Sequence, residues 1–104
     1  YDPTALPHQL NVAGVPFAIA GGTARLSAML PMMAAAAIGS GLSEDAALRA
    51  ITLTPAEILG IAKDTGSLTR NKLADVVVTD GSLFASDSRV LLVLSKGRTE
   101  YEAK

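Results

Sequence analysis

Residues 41–61 read Gly41-Leu-Ser-Glu-Asp-Ala-Ala-Leu-Arg-Ala-Ile-Thr-Leu-Thr-Pro-Ala-Glu-Ile-Leu-Gly-Ile61. Two helix starts lie inside this stretch. Ser43 is an N-cap residue, with Glu44 and Asp45 in the first turn, where the helix dipole favours anions. Leu42 and Ala47 stand at hydrophobic-staple spacing around it. The helix is expected to run to about Ile51. Thr54-Pro-Ala-Glu57 then has the form of a capping box with Pro at the first helical position, and Leu53 and Ile58 can staple it. Gly60 stops that second, very short helix. Signals this dense make a helix–turn–helix corner, which is structure and carries no chemistry of its own.

Upstream, Val15-Pro-Phe-Ala-Ile-Ala20 is a short apolar run ended by Gly21-Gly22. It reads as a buried strand of parallel type, apolar on both faces. Residues 25–38 read as a helix rich in Ala and Met, and Pro31 implies either a kink or a start there. Gly39-Ser-Gly41 ends it. The first eleven residues carry Pro3 and Pro7 and read as an irregular lead-in.

Downstream the period changes from helical to alternating. Residues 74–79, Ala-Asp-Val-Val-Val-Thr, form a strand closed by Asp80-Gly81, and residues 90–95 form another. Lys96-Gly97 is placed as a two-residue hairpin turn into residues 98–102.

Composition narrows the function. Of 104 residues, 18 are Ala, two are Tyr, two are Phe and none is Trp. This is one small domain or a piece of one, able to bury roughly two thirds of its unfolded surface. Hydrophobic residues at 49% with 18% charged exclude a disordered chain. A net charge of −1, with basic residues scattered from Arg25 to Lys104, argues against nucleic acid and acidic membrane surfaces. The absence of Cys removes disulfides, thiolate zinc sites and Cys nucleophiles. Residues 26–43 are uncharged and just reach the minimum length of a membrane span, but Pro31 and five Ala make them too weakly apolar. No signal peptide is legible; the compartment is not read from the sequence, and a soluble protein of the cytoplasm or periplasm is the expectation.

Candidate chemistry is sparse. A hydrolytic metal centre needs several converging His, Asp, Glu or Cys ligands. The one His, His8, sits in the lead-in and reads as a surface or linker side chain. Ser27, Ser43, Ser67, Ser82 and Ser95 have no imidazole base in a recognisable context. Glu44, Asp45 and Glu57 are explained by helix starts, and Asp64 and Asp80 by turns. Asp75, just before the Val run, is best read as a strand-edge residue, either solvated or hydrogen-bonded to a neighbouring loop. Gly21-Gly22-Thr23 resembles half of an anion-binding turn, but the third Gly and the acidic partner of a dinucleotide site are missing.

The 41–61 string resembles the barrel-closing segment of amidohydrolase-superfamily enzymes, in the branch of imidazolonepropionase and related metal-dependent hydrolases. The pattern there is GLS-x-x-x-AL-x-x-x-T-x-x-PA-x-x-LG followed by GS-L-x-x-GK-x-AD-VVV-x-DG. This chain supplies Gly66-Ser-Leu68 and Lys72-Leu-Ala-Asp-Val-Val-Val-Thr-Asp-Gly81, with Asn71 in place of the Gly before Lys72. The resemblance covers roughly residues 12–102. It implies an α/β to α+β fragment. Residues 1–11 would be a lead-in, 12–62 the last strand and helices of a TIM-like barrel, and 63–104 strands of a small composite β-sandwich. It implies a parent that hydrolyses C–N bonds with metal-activated water, using zinc or another divalent cation held by residues upstream of Tyr1. The family's Asp at the end of the last barrel strand falls on Gly22, which can neither bind metal nor take a proton. On this reading the chain has no catalytic, cofactor-binding or metal residues. The ending VVVTDGSLF also resembles the metal-less first module of tandem amidohydrolase proteins. The implied partner is the rest of the parent chain, with homodimerisation or element exchange when the piece stands alone.

Overall fold

The computed structural model describes residues 5–21 and 29–104. Helices come first and strands last. Helix α1, Leu6–Val12, occupies most of the stretch expected to be irregular. Pro7 lies in its first turn, where a missing N–H costs nothing, so the proline starts the helix it was expected to prevent. The run at 15–20 is not a strand. Val15 N–H bonds back to Leu10 O at 3.0 Å, and Ile19 N–H reaches Ala50 O at 3.0 Å. A strand exists only as a partner in a ladder. Among the described residues no strand lies beside this run, and Phe17 and Ile19 pack instead on the helical core.

Helix α2, Leu30–Gly39, has Pro31 in its first turn, so the proline marks a start and not a kink. The earlier part of the expected helix, residues 25–28, lies outside the described residues. So does Gly22. Ser40–Gly41 closes α2, with Leu42 N–H returning to Ala37 O at 3.1 Å. Among the described residues no helix is long and apolar enough to cross a membrane.

Helix α3, Glu44–Ile51, starts as its sequence dictates: Ser43 Oγ accepts from Ala46 N–H at 3.1 Å. Ser43→Ala is expected to destabilise the chain by about 1 kcal/mol, the usual cost of a lost N-cap, measured as a lower urea midpoint. Helix α4, Leu53–Ile58, departs from expectation. It begins one residue before Thr54, and no side chain caps it. The Thr52 hydroxyl donates backwards to Leu48 O at 2.6 Å, tying α4 to the end of α3. The Thr54–Glu57 capping box therefore does not form, because Thr54 is already inside the helix, and Ile58 is left exposed.

The strands β1, Val76–Thr79, β2, Val90–Ser95, and β3, Arg98–Glu102, make one antiparallel sheet in that order. Val77 faces Val93, and Val93 faces Tyr101. Lys96 and Gly97 have φ of 51° and 79°, the pair of positive values that a two-residue hairpin turn of matching twist requires. β1 starts two residues later than expected, because Ala74 O accepts from Gly97 N–H at 3.0 Å and Asp75 turns its side chain to Lys96. Both outer strands are open edges among the described residues. β3 carries Arg98, Glu100 and Glu102 and is exposed throughout, whereas β1 is apolar.

The core is small-grained. Ala34 and Ala37 of α2 meet Leu42 and Ala47 at the start of α3, and Phe17, Ile19, Ile38 and Phe84 pack around them. Ala on both facing helices lets their backbones approach closely.

Candidate functional site

A groove of about 840 Å³ runs between α3 and the β1 side of the sheet. Its apolar floor comes from Leu48, Leu53, Leu68, Val77 and Phe84. Leu68 is 85% exposed and Val77 53%, so large apolar side chains stand open to solvent here. Glu44, Asp45, Arg49 and Asp75 also line it. The groove adjoins the open edge of β1.

Two of its carboxylates, Glu44 and Asp75, and Asp80 at the end of β1, hold the chain together. Asp75 Oδ1 accepts from Lys96 N–H at 2.8 Å, and Oδ2 accepts from the Thr65 hydroxyl at 3.0 Å. These two donors, the Lys96 amide first, hold its carboxyl below the usual carboxylate range. Asp80 Oδ1 accepts from Arg89 N–H at 2.7 Å, and Oδ2 meets Arg89 Nε at 3.3 Å. That amide, with the guanidinium behind it, lowers Asp80 in the same way. Glu44 accepts from the Ser82 hydroxyl, pinning the start of α3 to the loop before β2. Of the two readings that its place before the Val run allows, Asp75 thus takes the loop-bonded one.

The sign of the acid response follows. A carboxyl whose folded pKa is depressed adds stability above its unfolded value of about 3.9, and that stability is lost as pH falls through the folded value. Asp75→Asn combined with Asp80→Asn should therefore flatten the loss of melting temperature between pH 5 and pH 2 (roughly the carboxylate range). Parallel melting curves for variant and parent across that range would contradict the assignment.

A third cluster was not apparent from sequence. Lys72 Nζ donates to Ser67 Oγ at 2.7 Å, and Ser67 Oγ lies 2.9 Å from Thr69 Oγ1. Gly66, with φ of 98°, turns the chain into it, and Ser67 reaches the groove. The available signal was a Gly followed by hydroxyl residues at 67 and 69 and a Lys at 72. Nothing in that spacing by itself brings the three side chains together; the turn at Gly66 does.

Metal chemistry finds no seat here. Among the described residues no three His, Cys, Asp or Glu side chains gather. His8 lies on α1 and not in a linker. Its ring packs on Gly41, where a Cβ would come within 3.1 Å of Cδ2, and its enclosed Nδ1 has no hydrogen-bond partner. Among the described residues it belongs to no cluster of three metal-binding side chains. The donor set does not fit a catalytic metal ion.

The sequence profile of the amidohydrolase family matches residues 10–99. The crystal structure of an amidohydrolase from Thermotoga maritima MSB8 is similar in fold, with a TM-score of 0.91 at 29% identity. The match covers 96% of this chain and 26% of that one. The chain therefore spans about a quarter of the length of that protein. No curated protein matches it.

Proposed function

The chain belongs to the amidohydrolase family, and we propose that it is the C-terminal part of a hydrolase of that family, without a catalytic centre of its own. The observation that carries this reading is the unequal coverage, 96% of this chain against 26% of the similar structure. In this proposal residues 15–20 are the last strand of a TIM-like barrel, 25–60 its closing helices and 74–102 strands of a composite sandwich. The unpaired 15–20 run supports it, as do the open β1 edge and the apolar groove beside it. Each is a surface that folding in a longer chain would cover. The parent reaction is hydrolysis of C–N bonds in cyclic or linear amides, as in imidazolonepropionase-like enzymes. No step of it is routed through the residues described here.

The test is metal analysis and an amidase assay on the purified chain. No stoichiometric divalent metal and no turnover are expected; tight zinc at one per chain, or turnover, would overturn the proposal. Alone, the chain is expected to cover its exposed surfaces by dimerising or exchanging elements, and a compact monomer on size exclusion at micromolar concentration would contradict that. The second reading, a non-catalytic scaffold module of a tandem amidohydrolase protein, is favoured by Gly22 at the position of the family's Asp. An intact His-x-His motif upstream would decide for the enzyme, and its loss for the scaffold.

A further inference from the structure

We propose that the Asp80–Gly81 bond is a latent modification site: the folded chain holds it closed through Arg89, and it isomerises to isoaspartate when that hold opens. Of all the Asp and Asn residues in the chain, Asp80 alone is followed by Gly. Closure of an acidic side chain onto the next amide is least hindered there, because glycine has no Cβ to block the approach. The fold calls for a glycine at this position, since a Cβ on Gly81 would stand 2.6 Å from Ser88 Oγ.

The step needs no reagent besides water. Gly81 N bonds to Asp80 Cγ, the Cγ–OH bond breaks, and the amide proton leaves with that hydroxyl as water. A cyclic succinimide remains. Water then adds to either of its carbonyls. Breaking the bond from Gly81 N to the original backbone carbonyl carbon leaves the chain running through Cγ, with an extra backbone carbon and a free α-carboxylate. Nothing is oxidised or reduced.

Ring closure has two requirements, and the fold opposes both. The side chain must swing back over the Gly81 amide. Instead, Asp80 Oδ1 accepts from Arg89 N–H at 2.7 Å and Oδ2 accepts from Arg89 Nε–H at 3.3 Å. The backbone on both sides of the bond is tied as well, by Asp80 N–H to Arg89 O at 3.1 Å and by the Thr79 hydroxyl to Gly81 O at 2.6 Å. The carboxyl must also be protonated, so that water can leave, whereas hydrogen bonds donated to the charged form keep it ionised. The hold can open. The pair lies just past β1 and β2, beside the register shift between Val78 and Thr79, where the ladder is already irregular. The Asp80 side chain is 36% exposed, so water reaches the bond whenever this end opens locally. Isomerisation would then carry the carboxylate away from Arg89 and unpin the open end of the hairpin.

The experiment incubates the full chain, folded and in denaturing urea, at about pH 6, where a free carboxyl is mostly ionised yet still samples its protonated form. Trypsin releases residues 73–89 as one peptide, or 73–96 in variants without Arg89. Chromatography separates the isoaspartyl form and fragmentation locates it. Isoaspartate is expected at residue 80, forming at least about tenfold more slowly in the folded chain than in urea. Arg89→Ala removes only the guanidinium and should raise the folded rate about twofold, as for a solvent-exposed ion pair. Arg89→Pro removes the amide proton as well and should raise it about tenfold. If Arg89→Pro does not fold, the urea comparison and Arg89→Ala still decide. Equal rates in the folded chain and in urea, parental rates in both folded variants, or isoaspartate arising at Asp87 ahead of Asp80 would overturn the proposal.

Discussion

Replacing Gly66 with Ala is expected to lower the stability of the chain by about 2–4 kcal/mol, the sum of a left-handed backbone and a steric overlap. Gly66 has φ of 98°, a conformation that L side chains adopt at a cost. A Cβ there would stand 2.8 Å from the Ala56 Cβ and 3.2 Å from Thr52 O. Neither neighbour is the far end of a flexible side chain. Ala56 is 4% exposed within α4, and Thr52 ties α4 to α3 through Leu48 O. Relief requires moving either the α3–α4 corner or the loop from α4 to β1. Urea unfolding followed by circular dichroism should show a lower midpoint with an unchanged slope. A variant as stable as its parent would mean that this loop does not pack on α4.

Leu42→Ala is expected to cost about 2–4 kcal/mol, the range for emptying a buried leucine site. Leu42 is 2% exposed, and among the described residues the other buried hydrophobic side chains are all Ala. It sits between the end of α2 and the cap of α3, in contact with the core formed by Ala34, Ala37 and Ala47. The buried neighbours are alanines with no atoms beyond Cβ to fill the space, so relief would have to come from the partly buried Phe and Ile side chains around them. For a domain whose total stability is of the order of 5–15 kcal/mol, this loss is a large share of the whole. Calorimetry would show it as a lowered melting temperature. A shift no larger than that of Ser43→Ala would show the site collapsing around the hole.

The parts of the fold legible in the sequence are those whose causes are local. Ser43 caps α3 because its hydroxyl reaches an amide three residues on. Lys96-Gly97 turns because that pair can adopt positive φ between two strands, and residues 90–95 form β2 because their neighbours lie along the hairpin. Elements whose causes lie elsewhere were harder to read. The apolar run at 15–20 has the composition of a buried strand, yet a strand needs a ladder partner, and Ile19 finds only Ala50 O. Pro7 punctuates a helix start as readily as a loop, and nothing within residues 1–11 decides between them. Thr54-Pro-Ala-Glu57 carries the letters of a capping box, but Thr52 bonds back to α3 and shifts the start of α4. The candidate site divides in the same way. Asp75 was legible as a strand-edge residue, whereas Ser67, Thr69 and Lys72 meet only once Gly66 has folded the chain onto α4.

The alanine-built core also has a calorimetric signature. The heat capacity of unfolding grows with the apolar area brought into water, and the slope in denaturant follows the same area. Among the described residues the fully buried core is five alanines and Leu42, the Phe and Ile side chains around it are only partly buried, and Leu68 and Val77 are already wet in the native state, so less new apolar surface is exposed than a core of large side chains would release. The curve of stability against temperature should therefore be flat for a chain of this length. Its cold side should fall away only slowly.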